Sequence, residues 1–209
     1  MSSPSKVTVN NIEEVLGLDE IEPNNINVSY KIRVKNIDTK YDVHRIGLKL
    51  SGYLMECFRL NSLEDNTRSI DIPYDNISEE MLQKSVDFIN FYGEALEKNG
   101  IMNPENTKYT DFEFAIMRPL NSYELDRCVS EYDYDFVEEL SEDQLAELLL
   151  WFDYLQFEHG VVLCECALAL RLQNHTPKQL CEKFGISEDV FNEEEKKFIM
   201  DNMRWKTEC

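Results

Sequence analysis

The sequence predicts an α+β protein, with a small sheet early in the chain and helices over most of the remainder. Two observations carry this. Val28, Tyr30, Ile32 and Val34 alternate with polar residues, and Tyr41 and Val43 continue that period after Asn36-Ile37-Asp38, the pattern of a half-buried hairpin. Later segments instead repeat their apolar residues at three and four, the helical spacing. With 209 residues and 43% hydrophobic content, the chain can hold one substantial domain with an appendage.

Residues 1–26 are mostly polar, carry Pro4 and Pro23, and predict a flexible tail. Ile46 to Phe58 reads as one helix, with Leu50, Leu54 and Phe58 four apart, and a polar loop follows. Ser69 to Ile72 reads as another strand. Asn76 with Glu79 offers a capping box for a helix bearing Leu82, Val86, Ile89 and Tyr92. From Gly93 to about Asp126 the pattern breaks into an insert punctuated by Gly100, Pro104 and Pro119. Phe112, Phe114, Ile116 and Met117 are too apolar for a plain linker, so the insert reads as an added strand or a partner contact. Tyr132, Phe136 and Val137 precede a helix opened by a Ser141-to-Gln144 capping box. Leu145, Leu148, Leu149, Phe152 and Leu155 line it, and Trp151 lies on its flank. Val161 to Leu172 forms the next helix.

The segment from His175 to Trp205 is the most informative. Thr176 caps a helix, Pro177 suits its first position, and Gln179 completes a capping box. Leu180 and Phe184 share a face, and Gly185 ends the helix. Asn192 with Glu195 opens a second helix, striped by Phe198, Asn202 and Trp205 and widened by Ile199 and Met203. Each large apolar group contributes roughly 1.5–3 kcal/mol when fully removed from water. A pair of short helices at a chain end has few neighbours, which leaves two readings: these side chains pack back on the domain, or they form a docking surface.

These residues resemble the C-terminal signature of the S-phase kinase-associated adaptor family, which links cullin scaffolds to F-box proteins in SCF ubiquitin ligases. The pattern runs through Thr176-Pro177, Leu180, Phe184-Gly185-Ile186, Phe191, Glu193-Glu194-Glu195 and Trp205, and back to Tyr132-Asp133 and Asp135-Phe136-Val137. A weaker match covers Val28 to Tyr92, where Ser69-Ile70-Asp71-Ile72-Pro73 resembles the strand and proline preceding the third helix of a BTB/POZ domain. The resemblance implies a BTB/POZ-type domain over residues 27–173, with the insert at about 93–126, and a C-terminal helical extension over 174–209 for F-box docking. It implies F-box contacts at Leu163, Leu180, Phe184, Ile186, Phe191, Met203 and Trp205, and a cullin-facing site at Asp153 and Tyr154. Asp153 replaces the family's Asn. Trp151 and Phe152 stand where small residues are common, which opens a second reading: a scaffold without a cullin that uses them for self-association or another partner. The implied role is non-enzymatic. In some protists the family's proline at the position of Pro177 is hydroxylated and glycosylated.

Composition and motifs agree with a protein-binding role. The balance of 41 acidic against 21 basic residues gives a formal charge of −20, which repels phosphate backbones and anionic lipids, so neither nucleic acid nor membrane is an expected partner. No Lys or Arg occurs between Cys128 and Leu170, whereas Glu131, Asp133, Asp135, Glu138, Glu139, Glu142, Asp143, Glu147, Asp153 and Glu158 do. That run reads as a solvated acidic face or as a surface that steers a basic partner. The cysteines show no disulfide-framework or CxxC spacing, and neither metal nor cofactor is expected. GxSxG, GxxxxGK[ST] and GxGxxG are absent, and none of His44, His159 and His175 lies in a catalytic context; His159 at a helix junction and His175 before a cap read as structural. Without a signal segment, long apolar run or lipidation box, the expected location is cytoplasm and nucleus.

Overall fold

The computed structural model describes residues 29–60, 67–118, 120, 122–185, 192, 194, 195, 197 and 198; the expected tail at 1–26 lies outside them. The chain divides into two compact units, Met1–Ala115 with Glu147–Val161, and Ile116–Ala146 with Val162–Cys209. The architecture is α+β, with the strand and helix order expected of a POZ-type domain.

In the first unit, strand β1 (Ser29–Val34) lies between β2 (Tyr41–Val43) and β3 (Thr67–Ile72). Tyr30 faces Val43 across an antiparallel ladder, and Ile32 faces Ile70 across a parallel one. The period-2 alternation buries Tyr30, Ile32 and Val34 and leaves Lys31 and Arg33 to pair with Asp42 and Asp71 at 2.9 and 2.6 Å. A parallel neighbour requires a crossover, which α1 (Arg45–Lys49) and α2 (Gly52–Leu60) supply.

The single helix expected over 46–58 is therefore two. Ser51 Oγ accepts the Leu54 amide at 3.1 Å and donates to the Leu155 carbonyl at 2.5 Å, while the amides of Gly52 and Tyr53 donate to the carbonyls of Gln156 and Leu155. The first amides of α2 thus satisfy carbonyls that helix α5 (Glu142–Tyr154) leaves free beyond its end. The spacing of Leu50, Leu54 and Phe58 carries no trace of this break.

Helix α3 (Glu79–Lys98) is capped by Ser78, which accepts the Met81 amide at 3.3 Å, and not by the expected Asn76. Ile77 before the cap and Leu82 four residues into the helix are both buried, the positions of a hydrophobic staple. The helix also runs through Gly93, where the pattern was expected to break. The first part of the insert forms short 3-10 turns at Pro104–Asn106 and Tyr109–Asp111 and no strand among the described residues. Ile101, Met102, Tyr109, Phe112, Phe114 and Ala115 pack on Ile46, Leu50 and Leu96. Buried His159 joins them: Tyr109 Oη lies 3.0 Å from its Nδ1, and its ring lies parallel to Phe88 at 5.7 Å.

In the second unit, Tyr132, Phe136 and Val137 lie on a helix of their own, α4 (Glu131–Glu138), rather than ahead of one. Ser130 caps it by accepting the Asp133 amide at 3.1 Å, and Ser130 Oγ donates to the buried Asp133 carboxylate at 2.9 Å. The expected box at Ser141 and Gln144 forms at the start of α5, with bonds of 2.9 and 3.2 Å. Helix α6 (Glu158–Leu172) buries Val162, Leu163, Cys164, Cys166 and Ala167, and burial pushes the Cys164 thiol up to about 12, so it acts as a small apolar group.

Near the end of α6, Arg171 donates to the carbonyls of Val137 (2.7 Å), Glu138 (3.1 Å) and Leu140, which lie at and just beyond the end of α4, where helical partners run out; the Val137 carbonyl also accepts the Leu140 amide at 3.3 Å. Charge-assisted bonds of this kind are worth about 1.5–3 kcal/mol. Arg171→Ala is expected to lower stability in chemical denaturation by about that amount, with Arg171→Lys recovering only part because an ammonium cannot reproduce the fork. A loss under about 0.5 kcal/mol would show that water replaces the guanidinium without penalty.

Candidate partner-binding surfaces

Among the described residues, each unit carries a candidate surface with large side chains. In the first unit, residues 147–154 of α5 place Glu147, Leu150, Trp151 and Tyr154 along one stripe. Leu150 is 61% exposed, Tyr154 is half-buried and Asp153 is exposed. Trp151 and Phe152 are both completely buried, which corrects the reading that they form a self-association face. The indole nitrogen of Trp151 donates to Ser85 Oγ at 2.9 Å, and Phe152 presses on Gly160, where an added Cβ would meet the ring at 2.5 Å.

Tyr154 does not stand alone. Its hydroxyl donates to the Tyr53 hydroxyl at 3.2 Å, and the rings lie 4.9 Å apart; Tyr74 lies 4.8 Å from Tyr154 on another side. Burial, with the bond to Tyr154, raises the Tyr53 phenol well above its ordinary value. Burial and the carboxylates of Glu147 and Asp75 raise that of Tyr74. Glu147 accepts the Ser78 amide, and Asp75 pairs with Lys35 at 2.9 Å. Sequence reasoning named Asp153 and Tyr154 as candidates for this surface. It missed Leu150, although that residue shares the stripe of Tyr154, and had no signal for Tyr53 and Tyr74, which come from other segments.

The second surface centres on α7 (Pro177–Lys183). The expected capping box is present: Thr176 donates its amide to Gln179 Oε1 at 2.8 Å and accepts the Gln179 amide at 3.3 Å. Gly185 follows with φ of 61°, the left-handed turn expected of it. Lys183 pairs with Glu142 at 2.6 Å and holds that carboxyl below its usual range. Leu180 is half-buried and Phe184 is 51% exposed. Beyond, Asn192 and Glu195 exchange the expected reciprocal bonds, both 2.9 Å, and Phe198 is 70% exposed. Leu163 is fully buried, which gives it a packing role within the chain. Ile186, Phe191, Met203 and Trp205 lie outside the described residues.

The acidic run serves several structural purposes: Asp133 holds the Ser130 hydroxyl that caps α4, Glu142 holds Lys183 and Glu147 holds the Ser78 amide. Among the described residues no group of three His, Cys, Asp or Glu side chains is arranged to hold a metal ion, and no helix is long and apolar enough to cross a membrane.

Comparison with known sequences points the same way. The profile of the Skp1 family, dimerisation domain, matches residues 162–204, a span that takes in most of α6 and all of α7. The S-phase kinase-associated protein 1 homolog of Tetrahymena thermophila is 28% identical over 149 residues, covering 71% of this chain and 80% of that relative. The match to the family's own domain over the segment with the paired capping boxes, and the similarity to a named member over most of both chains, both make this chain similar to the Skp1 family.

Proposed function

We propose that the chain is a non-enzymatic adaptor that links F-box substrate receptors to a cullin scaffold in an SCF-type E3 ubiquitin ligase of the cytoplasm and nucleus. Similarity to the Skp1 family supports the adaptor role in general. The observation that carries the F-box side is Phe184. A helix capped at its start and pinned near its end by Lys183 delivers this aromatic ring to solvent at 51% exposure. Holding such a ring in water forgoes burial free energy that a partner's apolar surface would restore. Leu180 and Phe184 are the described F-box contacts, Leu163 supports them from within α6, and Ile186, Phe191, Met203 and Trp205 are the further contacts that the family resemblance implies. Asp153 and Tyr154 are the residues that contact the cullin.

The double variant Phe184→Ala/Trp205→Ala is expected to weaken F-box pull-down at least about a hundredfold, as loss of two aromatic anchors does, while melting stays within a few degrees of the parent. Retained capture by the folded variant refutes the groove. Size-exclusion of the chain with an F-box protein and a cullin N-terminal fragment is expected to give a ternary complex; a complex that never includes the cullin fragment refutes the linking role.

A further inference from the structure

We propose that Tyr53, Tyr74 and Tyr154 form a receptor for an arginine side chain of the scaffold-side partner, with Glu147 and Asp153 as its counter-charges. This rests on the reading of the Tyr154 helix as partner-facing, and it assigns that face its ligand chemistry. The three rings come from separate segments and meet with centroids 4.8 and 4.9 Å from Tyr154, tilted at 46° and 49°. Rings at this spacing pack directly on one another and leave no gap between them, so the place for a cation is over the outward, half-buried faces of the cluster, whose partial negative charge holds it. The bond between the Tyr154 and Tyr53 hydroxyls fixes two of them in place.

Charge selects the ligand. Glu147 accepts a backbone amide, and among the described residues neither it nor Asp153 has an ion-pair partner. No Lys or Arg lies between Cys128 and Leu170 to neutralise them, and the chain carries a charge of −20. An anionic or neutral apolar partner would leave those carboxylates uncompensated, whereas a cation completes them. Arginine fits better than lysine, since a guanidinium stacks flat on a ring while its in-plane N–H groups reach carboxylates. Leu150, one turn before Tyr154 and 61% exposed, offers an apolar rim to the methylene stem.

The test uses the full chain with isotope-labelled tyrosine, titrated with N-acetyl-arginine amide and, in parallel, with N-acetyl-citrulline amide, its uncharged near-isostere. The arginine compound is expected to shift the ring signals of Tyr53, Tyr74 and Tyr154 saturably and the citrulline compound not to do so. Tyr74→Phe keeps the response and Tyr74→Leu weakens it roughly tenfold. No arginine response, or an equal citrulline response, overturns the proposal. If Tyr74→Leu melts early, Glu147→Gln/Asp153→Asn replaces it, and an undiminished arginine response there overturns the proposal equally. Failure of the cullin fragment to co-elute is a separate result: it refutes the linking role while the arginine response stands or falls by itself.

Discussion

Trp151→Ala is expected to remove about 3–5 kcal/mol of stability, the usual range for truncating a fully buried large aromatic side chain. Domains of this size hold roughly 5–15 kcal/mol in all, so the loss takes a large share of it. The ring is wholly buried, lies 5.1 Å from Tyr74 and stacks within 11° of the Tyr154 plane at 6.2 Å. Its Nε1 donates to Ser85 Oγ, which in turn donates to the Leu82 carbonyl at 2.7 Å. Trp151→Phe keeps most of the volume and loses the donor, so it is expected to fall short of the alanine variant, at about 1–3 kcal/mol. Denaturant titration by far-UV circular dichroism separates the two. The alanine variant is also expected to loosen Tyr154, since the indole backs that ring, and hence to weaken scaffold binding at temperatures where the chain is still folded. An alanine variant within about 0.5 kcal/mol of the parent would mean that the site collapses around the void.

Trp151 also illustrates what was legible in the sequence. Features set by neighbours in the chain were readable: the alternation of β1, the strand at Ser69–Ile72, and the capping pairs Ser141 with Gln144, Thr176 with Gln179 and Asn192 with Glu195. Each depends on spacings of two or three residues. Features set by distant partners were not. The break at Ser51 exists because its hydroxyl reaches a carbonyl 104 residues away, and the indole of Trp151 is buried because Ser85, 66 residues away, supplies an acceptor. Ser78 displaces Asn76 as cap because Ile77 is buried just before it, a burial that local chemistry does not announce. For the candidate sites, Phe184 could be named as an outward-facing candidate because helix periodicity and the following glycine mark it. Tyr53 and Tyr74 were missed because only the fold brings them to Tyr154.

Gly93→Ala is expected to destabilise the first unit by at least about 2 kcal/mol, although alanine is the better helix former by about 1 kcal/mol and Gly93 lies inside α3. The opposing effect is steric. A Cβ at Gly93 would fall 2.5 Å from the Gly47 amide nitrogen and 2.8 Å from its Cα, both backbone atoms of α1. Gly47 mirrors this, since a Cβ there would meet the Ile89 carbonyl oxygen at 2.6 Å. Two glycines thus let α1 and α3 touch backbone to backbone. Neither helix can yield easily, because the His44 amide that opens α1 donates to Asn90 Oδ1 at 2.7 Å and His44 Nε2 meets Glu97 at 3.1 Å, both partners being on α3. Gly52 supplies the control. A Cβ there would meet the end of the Gln156 side chain at 2.6 Å, an obstacle that can rotate away, so Gly52→Ala is expected to cost less than about 1 kcal/mol. Equal losses for the two variants, or a stabilised Gly93→Ala, would show that the helices separate freely, and that a gain in helix propensity outweighs the contact.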